Sequence, residues 1–136
     1  MKSHRDLDAW KRAMALARNV YAATQAFPPD ERFGLTNQLR RAAVSVPSNI
    51  AEGAARGSPV EFIRFLHISL GSLAEVETQL LLASDLGYCV GGVDLLGQVA
   101  DVRGLTLGLV RHLKLRSSAS SIREVPAETD TYSTVP

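Results

Sequence analysis

The sequence lacks the marks of disulfide-rich, membrane-spanning and β-sheet proteins. Cys89 is its only cysteine, which excludes an intramolecular disulfide and a cysteine-rich metal site. Aromatic residues make up 6% of the 136 residues, while aliphatic residues and alanine dominate, and this composition favours helix over a β-sandwich. The apolar run at 80–83 is soon stopped by Asp85, so no segment approaches a membrane span. Because residues 1–6 also lack the apolar core of a signal peptide, we expect a cytoplasmic protein without a membrane partner.

The chain also has little net charge. Its formal charge is +1, and residues 117–136 carry one arginine against three acidic residues, which leaves the body of the chain at +3. That excess is too small for electrostatics alone to predict nucleic-acid binding. After Arg116 the residues are mostly Ser, Thr, Glu and Pro, with few apolar ones. We therefore predict a single domain over residues 1–116 and a disordered tail over residues 117–136.

Apolar residues spaced three and four positions apart predict four helices and no strand. The predicted segments are about Leu7–Phe27, Leu35–Gly53 with a kink at Pro47, Ser58–Gly87 and Val93–Leu113. Their inward-facing residues are predicted to be Leu7, Trp10, Met14, Ala17, Tyr21, Thr24 and Phe27 in the first helix, Leu39, Ala42, Ala43, Val46 and Ile50 in the second, and Leu95, Leu96, Val99, Val102, Leu109 and Leu113 in the fourth. Short connections between long helices predict an all-α, antiparallel up-down-up-down four-helix bundle.

The third helix has the clearest ends and an unusual apolar pattern. Residues 58–61 read as a capping box with proline at the first helical position, and Gly87 is a natural C-terminal cap. One apolar stripe holds Phe62, Leu66, Ser69, Leu73, Val76, Leu80 and Ala83, and a second holds Ile63, Leu70, Ala74, Leu81 and Leu82. A helix that is apolar on two sides is either the most buried helix of a monomer or contacts another subunit. The pattern favours an oligomer and leaves the monomer open.

The sequence offers no convergent set of catalytic groups. Its three histidines, His4, His67 and His112, are scattered, and none belongs to a His-Glu-x-x-His or Glu-x-x-His metal motif. It also has no Gly-rich phosphate loop and no nucleophile elbow. We therefore expect a protein that is not an enzyme and that holds neither a cofactor nor a metal.

Several motifs in order resemble one bacterial family. They are DLDAWK at 6–11, FGLT at 33–36, LRRAAVSVPSNIAEG at 39–53, EFIRFL at 61–66 and GSLAEVETQL at 71–80. The chain resembles the small proteins encoded within intervening sequences of 23S ribosomal RNA genes. The resemblance implies an antiparallel four-helix bundle that assembles into a ring-like homopentamer. It also implies kinship with the accessory protein of diversity-generating retroelements, a basic bundle that binds nucleic acid and a reverse transcriptase.

The basic residues are the better candidates for function. The tentative nucleic-acid-binding residues are Lys11, Arg12, Arg40, Arg41, Arg56 and Arg64. In a closed ring each residue is repeated around one axis, so that their fields add and phosphates are contacted without base specificity. Alternatively, Glu52 or Asn49 holds some of these arginines structurally. The favoured interpretation is a homo-oligomer that binds RNA or DNA, and the competing one is a protein-interaction scaffold without nucleic-acid binding.

Overall fold

The protein is an all-helical bundle. The computed structural model describes residues 3–88 and 94–124, with side chains up to residue 118. Its helices are α1 (Asp8–Thr24), α2 (Leu35–Ala55), α3 (Pro59–Asp85) and α4 (Leu95–Glu124), with short 3-10 helices at His4–Asp6 and Pro29–Glu31. No strand occurs within the described ranges. Each helix packs against its neighbours in the chain, and α4 packs back against α1, which closes the bundle. The predicted antiparallel four-helix bundle is confirmed.

The core follows the predicted apolar faces closely in α2 and α3 and less closely in α1. All seven residues of the first predicted α3 stripe are buried. In α1 the most buried residues are Ala13, Leu16 and Val20, whereas Tyr21 is 44% exposed. Ala17, Thr24 and Phe27 of the predicted α1 face are buried, as predicted, but Trp10, Met14 and Tyr21 remain partly exposed because the core side is centred about one helical position, or about 100°, away. The core side of α1 is rich in alanine, and the larger Trp10, Met14 and Tyr21 lie at its border with α2.

Helix α2 runs through Pro47 and does not end at Gly53 as predicted. Gly53 lies inside the helix, where a Cβ atom would approach the Cβ atom of Phe65 to 2.8 Å. Two serines of α3 join it to this stretch of α2. Ser69 Oγ donates to the backbone carbonyl of Val46 at 2.8 Å, and Ser72 Oγ donates to the Ser45 hydroxyl at 2.9 Å. Helix α2 thus tolerates the missing N–H of Pro47 while hydrogen bonds from α3 hold the adjacent turn.

The ends of α3 follow the predicted cap residues. Ser58 Oγ accepts the N–H of Glu61 at 3.4 Å, but the Glu61 carboxylate pairs with Arg64, so only half of the capping box forms. Gly87 adopts φ +80°, which glycine alone adopts without steric cost. The Tyr88 N–H bonds to the third-last helical carbonyl at 2.9 Å, which completes a Schellman motif and confirms Gly87 as the cap.

Helix α4 is longer than predicted and rotated slightly. It continues to Glu124, past the predicted end at Leu113, so residues 117–124 of the predicted tail are helical. No glycine or proline interrupts the chain between Gly108 and Pro126, so nothing in the backbone stops the helix earlier. Thr106 and Val110 are buried, whereas Leu96, predicted to face inward, is 42% exposed.

Part of the prediction falls outside the described residues. These positions are Cys89, Val93 and residues 125–136 of the predicted tail. Among the described helices, none is long and apolar enough to cross a membrane.

Candidate nucleic-acid interface

The charged side chains are divided unequally between the two ends of the bundle. We call one the basic end: residues 3–16, the second half of α2, residues 56–71 and residues 110–118. Its side chains include eight Lys or Arg residues against four acidic ones. The other residues whose side chains are described form the acidic end, with five arginines against seven acidic residues. The antiparallel fold produces this separation, because it brings the start of α1, the turn between α2 and α3, and the second half of α4 together.

Arg56 and Arg64 lie together at the basic end, and both are held by neighbours. Their guanidinium carbons lie 4.9 and 4.5 Å from the centroid of the Phe65 ring. Arg56 also pairs with Glu52 at 3.2 Å, and Arg64 makes a forked pair with Glu61, with both bonds at 3.2 Å. The Arg64 guanidinium lowers the pKa of the Glu61 carboxyl from its ordinary value. Because each arginine already has an acidic partner, the pair adds little net charge for a phosphate.

Arg40 has a structural role at the other end. Its Nε atom donates to Thr24 Oγ1 at 2.8 Å, and its Nη2 atom donates to the Tyr21 carbonyl at 3.2 Å. Its guanidinium carbon also lies 4.7 Å from the Tyr21 ring centroid. These contacts fasten α2 to the last turn of α1. The alternative that some arginines are structural therefore applies to Arg40, whose partners are not Glu52 or Asn49, and also to Arg56, which Glu52 holds as predicted.

The other three candidates differ in their surroundings. Arg12 lies 3.7 Å from Asp101 of α4, in a pair that is open to solvent on both sides. Lys11 is exposed at the basic end, and no partner for it is found within the described part of the chain. Arg41 is also exposed, but it lines a polar groove between α2 and α3 with Glu75 and Gln79, toward the acidic end. The six predicted residues thus do not form one continuous site.

The basic end contains residues that the sequence interpretation missed. Arg5, Arg111 and Arg116 are exposed there, and Lys114 lies close enough to His67 to reinforce its pKa shift. Burial is the larger cause that lowers the pKa of His67, and the positive charge of Lys114 adds to it. The signal that could have found these residues is topological. The second half of an antiparallel α4 must lie beside the first half of α3, where Arg64 was already a candidate.

A different kind of surface lies between α1 and α2. An open groove of about 520 Å³ is lined mainly by apolar side chains, namely Trp10, Met14, Ala17, Tyr21, Val44, Pro47 and Ala51, and also by Arg18 and Ser48. We call this the apolar groove. Trp10, Met14 and Tyr21, which were predicted to face the core from α1, line the groove instead. Part of the predicted α1 stripe therefore lies at the surface between α1 and α2, which periodicity alone could not reveal.

The described residues contain no group of three or more His, Cys, Asp or Glu side chains placed to hold a metal ion. One short polar contact at the acidic end is structural. The Tyr88 hydroxyl donates to Glu31 Oε2 at 2.7 Å, and the Leu35 N–H donates to Glu31 Oε1 at 3.0 Å. These two bonds, that of Tyr88 first, lower the pKa of the Glu31 carboxyl. Glu31 thus ties the start of α2 to the residue that follows the α3 cap.

Comparison with known proteins agrees with the motifs and the fold. Among proteins with curated descriptions, none matches this chain. The sequence profile of the 23S rRNA-intervening sequence proteins matches residues 5–93. This match includes α1, α2 and α3, the Pro47 segment and the α3 caps, which is more than half of the chain. The chain belongs to the family of 23S rRNA-intervening sequence proteins.

Proposed function

We propose that this protein is a non-enzymatic, homo-oligomeric bundle that binds structured RNA through the basic end. The observation that carries the proposal is the excess of eight basic over four acidic side chains at that end. Lys11, Arg111 and Arg116 contribute most, since they are exposed and have no ion-pair partner among the described residues. The family name, which refers to 23S rRNA, is compatible with an RNA-related role.

Self-association would raise the positive potential at the basic end enough for RNA binding. The basic end of one protomer has a net charge of about +4, or about +3 when Asp101, the partner of Arg12, is counted with it, and this supports only weak phosphate binding. In a closed assembly, the same end is repeated on one face, and the potentials of the copies add. The contacts would be made to phosphates by guanidinium and ammonium groups, which position RNA without reading its bases.

The proposal is tested by charge reversal at the basic end. The variant carries Lys11→Glu and Arg116→Glu, two exposed positions without described partners. The matched control is Arg32→Glu, an exposed arginine at the acidic end that contacts the Phe33 ring. Affinity for a fluorescein-labelled RNA hairpin is measured by anisotropy at low salt, and circular dichroism verifies that each variant is folded.

The expected results follow from the number of phosphate contacts that are lost. The double variant should bind about 10-fold or more weakly, and its salt slope should fall by about 2, roughly one unit for each contact. The control should change affinity by less than about 2-fold, since its charge lies away from the proposed surface. The double variant reverses two charges and the control one, so an equal loss of affinity for each reversed charge would show that only net charge matters and would contradict a site at the basic end.

The protein-interaction alternative is favoured by the apolar groove. A mostly apolar surface that includes Tyr21 and Val44, each more than 40% exposed, suits a protein partner and not a phosphate backbone. If the assembled wild-type protein does not bind the RNA hairpin at low salt, protein interaction through the apolar groove replaces RNA binding as the proposed function.

A further inference from the structure

A polar depression lies between α2 and α3, apart from the basic end. It measures about 450 Å³ and is lined by six polar side chains, namely Asn37, Gln38, Arg41, Ser45, Glu75 and Gln79. Four of the six belong to the two longest motifs of the sequence, at 39–53 and 71–80. None of them takes part in the phosphate contacts proposed above. We call this depression the polar groove.

The packing of α2 on α3 places opposite charges on the two walls of the polar groove. The hydrogen bond from Ser72 to Ser45 sets the two antiparallel helices in register. One turn from this bond toward the acidic end, Arg41 of α2 and Glu75 of α3 come to the same level. Gln79 lies one turn beyond Glu75 on the same wall. The polar groove therefore has a guanidinium on one side and a carboxylate on the other.

Several polar groups of the polar groove have no partner in the protein. Within the described ranges, the side chains of Arg41 and Glu75 form neither an ion pair nor a hydrogen bond. Gln79 Oε1 is buried and also lacks a partner there. Ser45 Oγ accepts hydrogen bonds from two side chains, both at 2.9 Å, so its own O–H remains to donate. Since enclosed polar groups are normally paired, these groups indicate a polar ligand.

The two charges decide which chemical class of ligand fits the polar groove. A phosphate attracted by Arg41 would be repelled by Glu75, so the groove does not suit a further phosphate contact. The ligand must instead bring hydrogen-bond acceptors to the guanidinium and donors to the carboxylate. Among the four RNA bases, guanine alone does both in pairs. Its O6 and N7 atoms accept from a guanidinium fork, and its N1–H and N2–H₂ groups donate to both oxygens of a carboxylate.

We infer that the polar groove binds an unpaired guanine base of the RNA, with Arg41 at O6 and N7 and Glu75 at N1 and N2. This inference rests on the proposed RNA binding and adds base selectivity to it. Unpaired bases in loops are the part of RNA that proteins read by their edges. Arg56, at the basic end of the same helix, lies about 22 Å from Arg41 at 1.5 Å per residue. About seven stacked nucleotides cover that length, so one RNA reaches both surfaces.

The test compares RNA hairpins that differ at one loop position. A fluorescein-labelled hairpin with a uridine loop carries one guanosine, adenosine, inosine or 7-deazaguanosine in the loop, and binding is measured by anisotropy at low salt. The guanosine hairpin should bind about 10-fold or more tightly than the adenosine hairpin. Inosine lacks the N2 amino group that donates to Glu75, and 7-deazaguanosine lacks the N7 acceptor for Arg41. Each should therefore bind about 5-fold or more weakly than guanosine.

Variants of the two charged residues assign the contacts. Glu75→Gln should reduce the preference for guanosine over adenosine to about 2-fold or less, because an amide presents only one acceptor. The matched control is Glu77→Gln, which removes the same charge from the same helix. Glu77 contacts α4, where it pairs with Arg103 at 2.8 Å, so the preference should stay unchanged. Arg41→Lys keeps the charge but removes the fork, so guanosine and 7-deazaguanosine should then bind equally.

Three results would overturn the inference, with circular dichroism verifying that each variant is folded. They are equal affinity of the wild type for the guanosine and adenosine hairpins, a full guanosine preference in Glu75→Gln, and loss of that preference in the Glu77 control. Equal affinity for the hairpins would contradict base recognition and leave RNA binding at the basic end standing. Absence of binding to every hairpin at low salt would contradict the proposed function and this inference together, so the two failures are distinct.

Discussion

Replacement of Gly53 by alanine tests the packing of α2 against α3 most sharply. The new Cβ atom would lie 2.8 Å from the Phe65 Cβ atom and 3.0 Å from Phe62 Cδ1. The first contact involves an atom attached directly to the backbone, so a rotamer change cannot relieve it. Helix α3 would have to move as a whole. Gly71 offers a matched control, since a Cβ atom at this exposed position in α3 meets nothing within 4 Å.

The two substitutions should change stability in opposite directions. Alanine is favoured over glycine within a helix by about 0.8–1 kcal/mol, so Gly71→Ala should be stabilised by roughly that amount. At Gly53 the same gain is opposed by overpacking, which costs about 1–3 kcal/mol and here falls at the upper end. We therefore expect Gly53→Ala to lose about 1–2 kcal/mol, and the two variants to differ by about 2–3 kcal/mol.

The assay is urea unfolding followed by circular dichroism, with all proteins at one concentration because self-association contributes to apparent stability. The midpoint should fall for Gly53→Ala and rise for Gly71→Ala without a change in slope. A Gly53→Ala protein as stable as the wild type would refute the reasoning, since it would mean that α2 and α3 are not in close contact at this position.

Three further predictions concern the polar contacts. Arg40→Ala should lower the free energy of unfolding by about 1–2 kcal/mol, because its hydrogen bonds and ring contact are lost. The matched Arg41→Ala should change that free energy by less than about 0.5 kcal/mol in the same urea titration. Equal effects of the two substitutions would contradict a structural role for Arg40. Ser69→Ala should cost about 1 kcal/mol because its buried hydroxyl donates to a carbonyl of α2, and an unchanged urea midpoint would exclude that contribution. Glu31 has a folded-state pKa below its ordinary 4.5, so its stabilising effect should be full above about pH 4.5 and be lost as the pH falls through the lowered pKa. Glu31→Gln should therefore flatten the fall in unfolding midpoint below pH 4.5, and a fall as steep as in the wild type would contradict this.

Much of the fold could be predicted because the periodicity of α3 is decisive. Ser69 lies in the apolar stripe even though it is polar, and the structure buries it with the rest of that stripe. The caps at Ser58 and Gly87 are local signals that depend on few residues, so they too could be read directly. The end of α4 could not, because the Ser-rich segment after Arg116 is ambiguous in propensity and no glycine or proline marks a stop before Pro126.

The candidate site was less predictable because a basic residue reveals its partners only in three dimensions. Arg40 and Arg41 are adjacent in sequence, yet Arg40 contacts α1 and Arg41 faces the groove between α2 and α3. Residues one position apart lie about 100° apart on a helix, which separates their surroundings. Likewise, Arg111 and Arg116 become candidate RNA-binding residues only when the fold places the second half of α4 beside the start of α3. Periodicity assigns faces, and only the fold assigns neighbours.

The central claim, RNA binding by an oligomeric basic end, is tested most directly by the salt dependence of binding to an RNA hairpin, with the mass of the protein determined in the same preparation. For about three phosphate contacts, the logarithm of the association constant should fall with a slope of about −2 to −3 against the logarithm of salt concentration. Affinity should then drop on the order of 30-fold between about 50 and 200 mM salt, in a protein whose mass is a multiple of the chain mass. An assembled protein that binds no RNA at low salt, or whose binding does not depend on salt, would contradict the account.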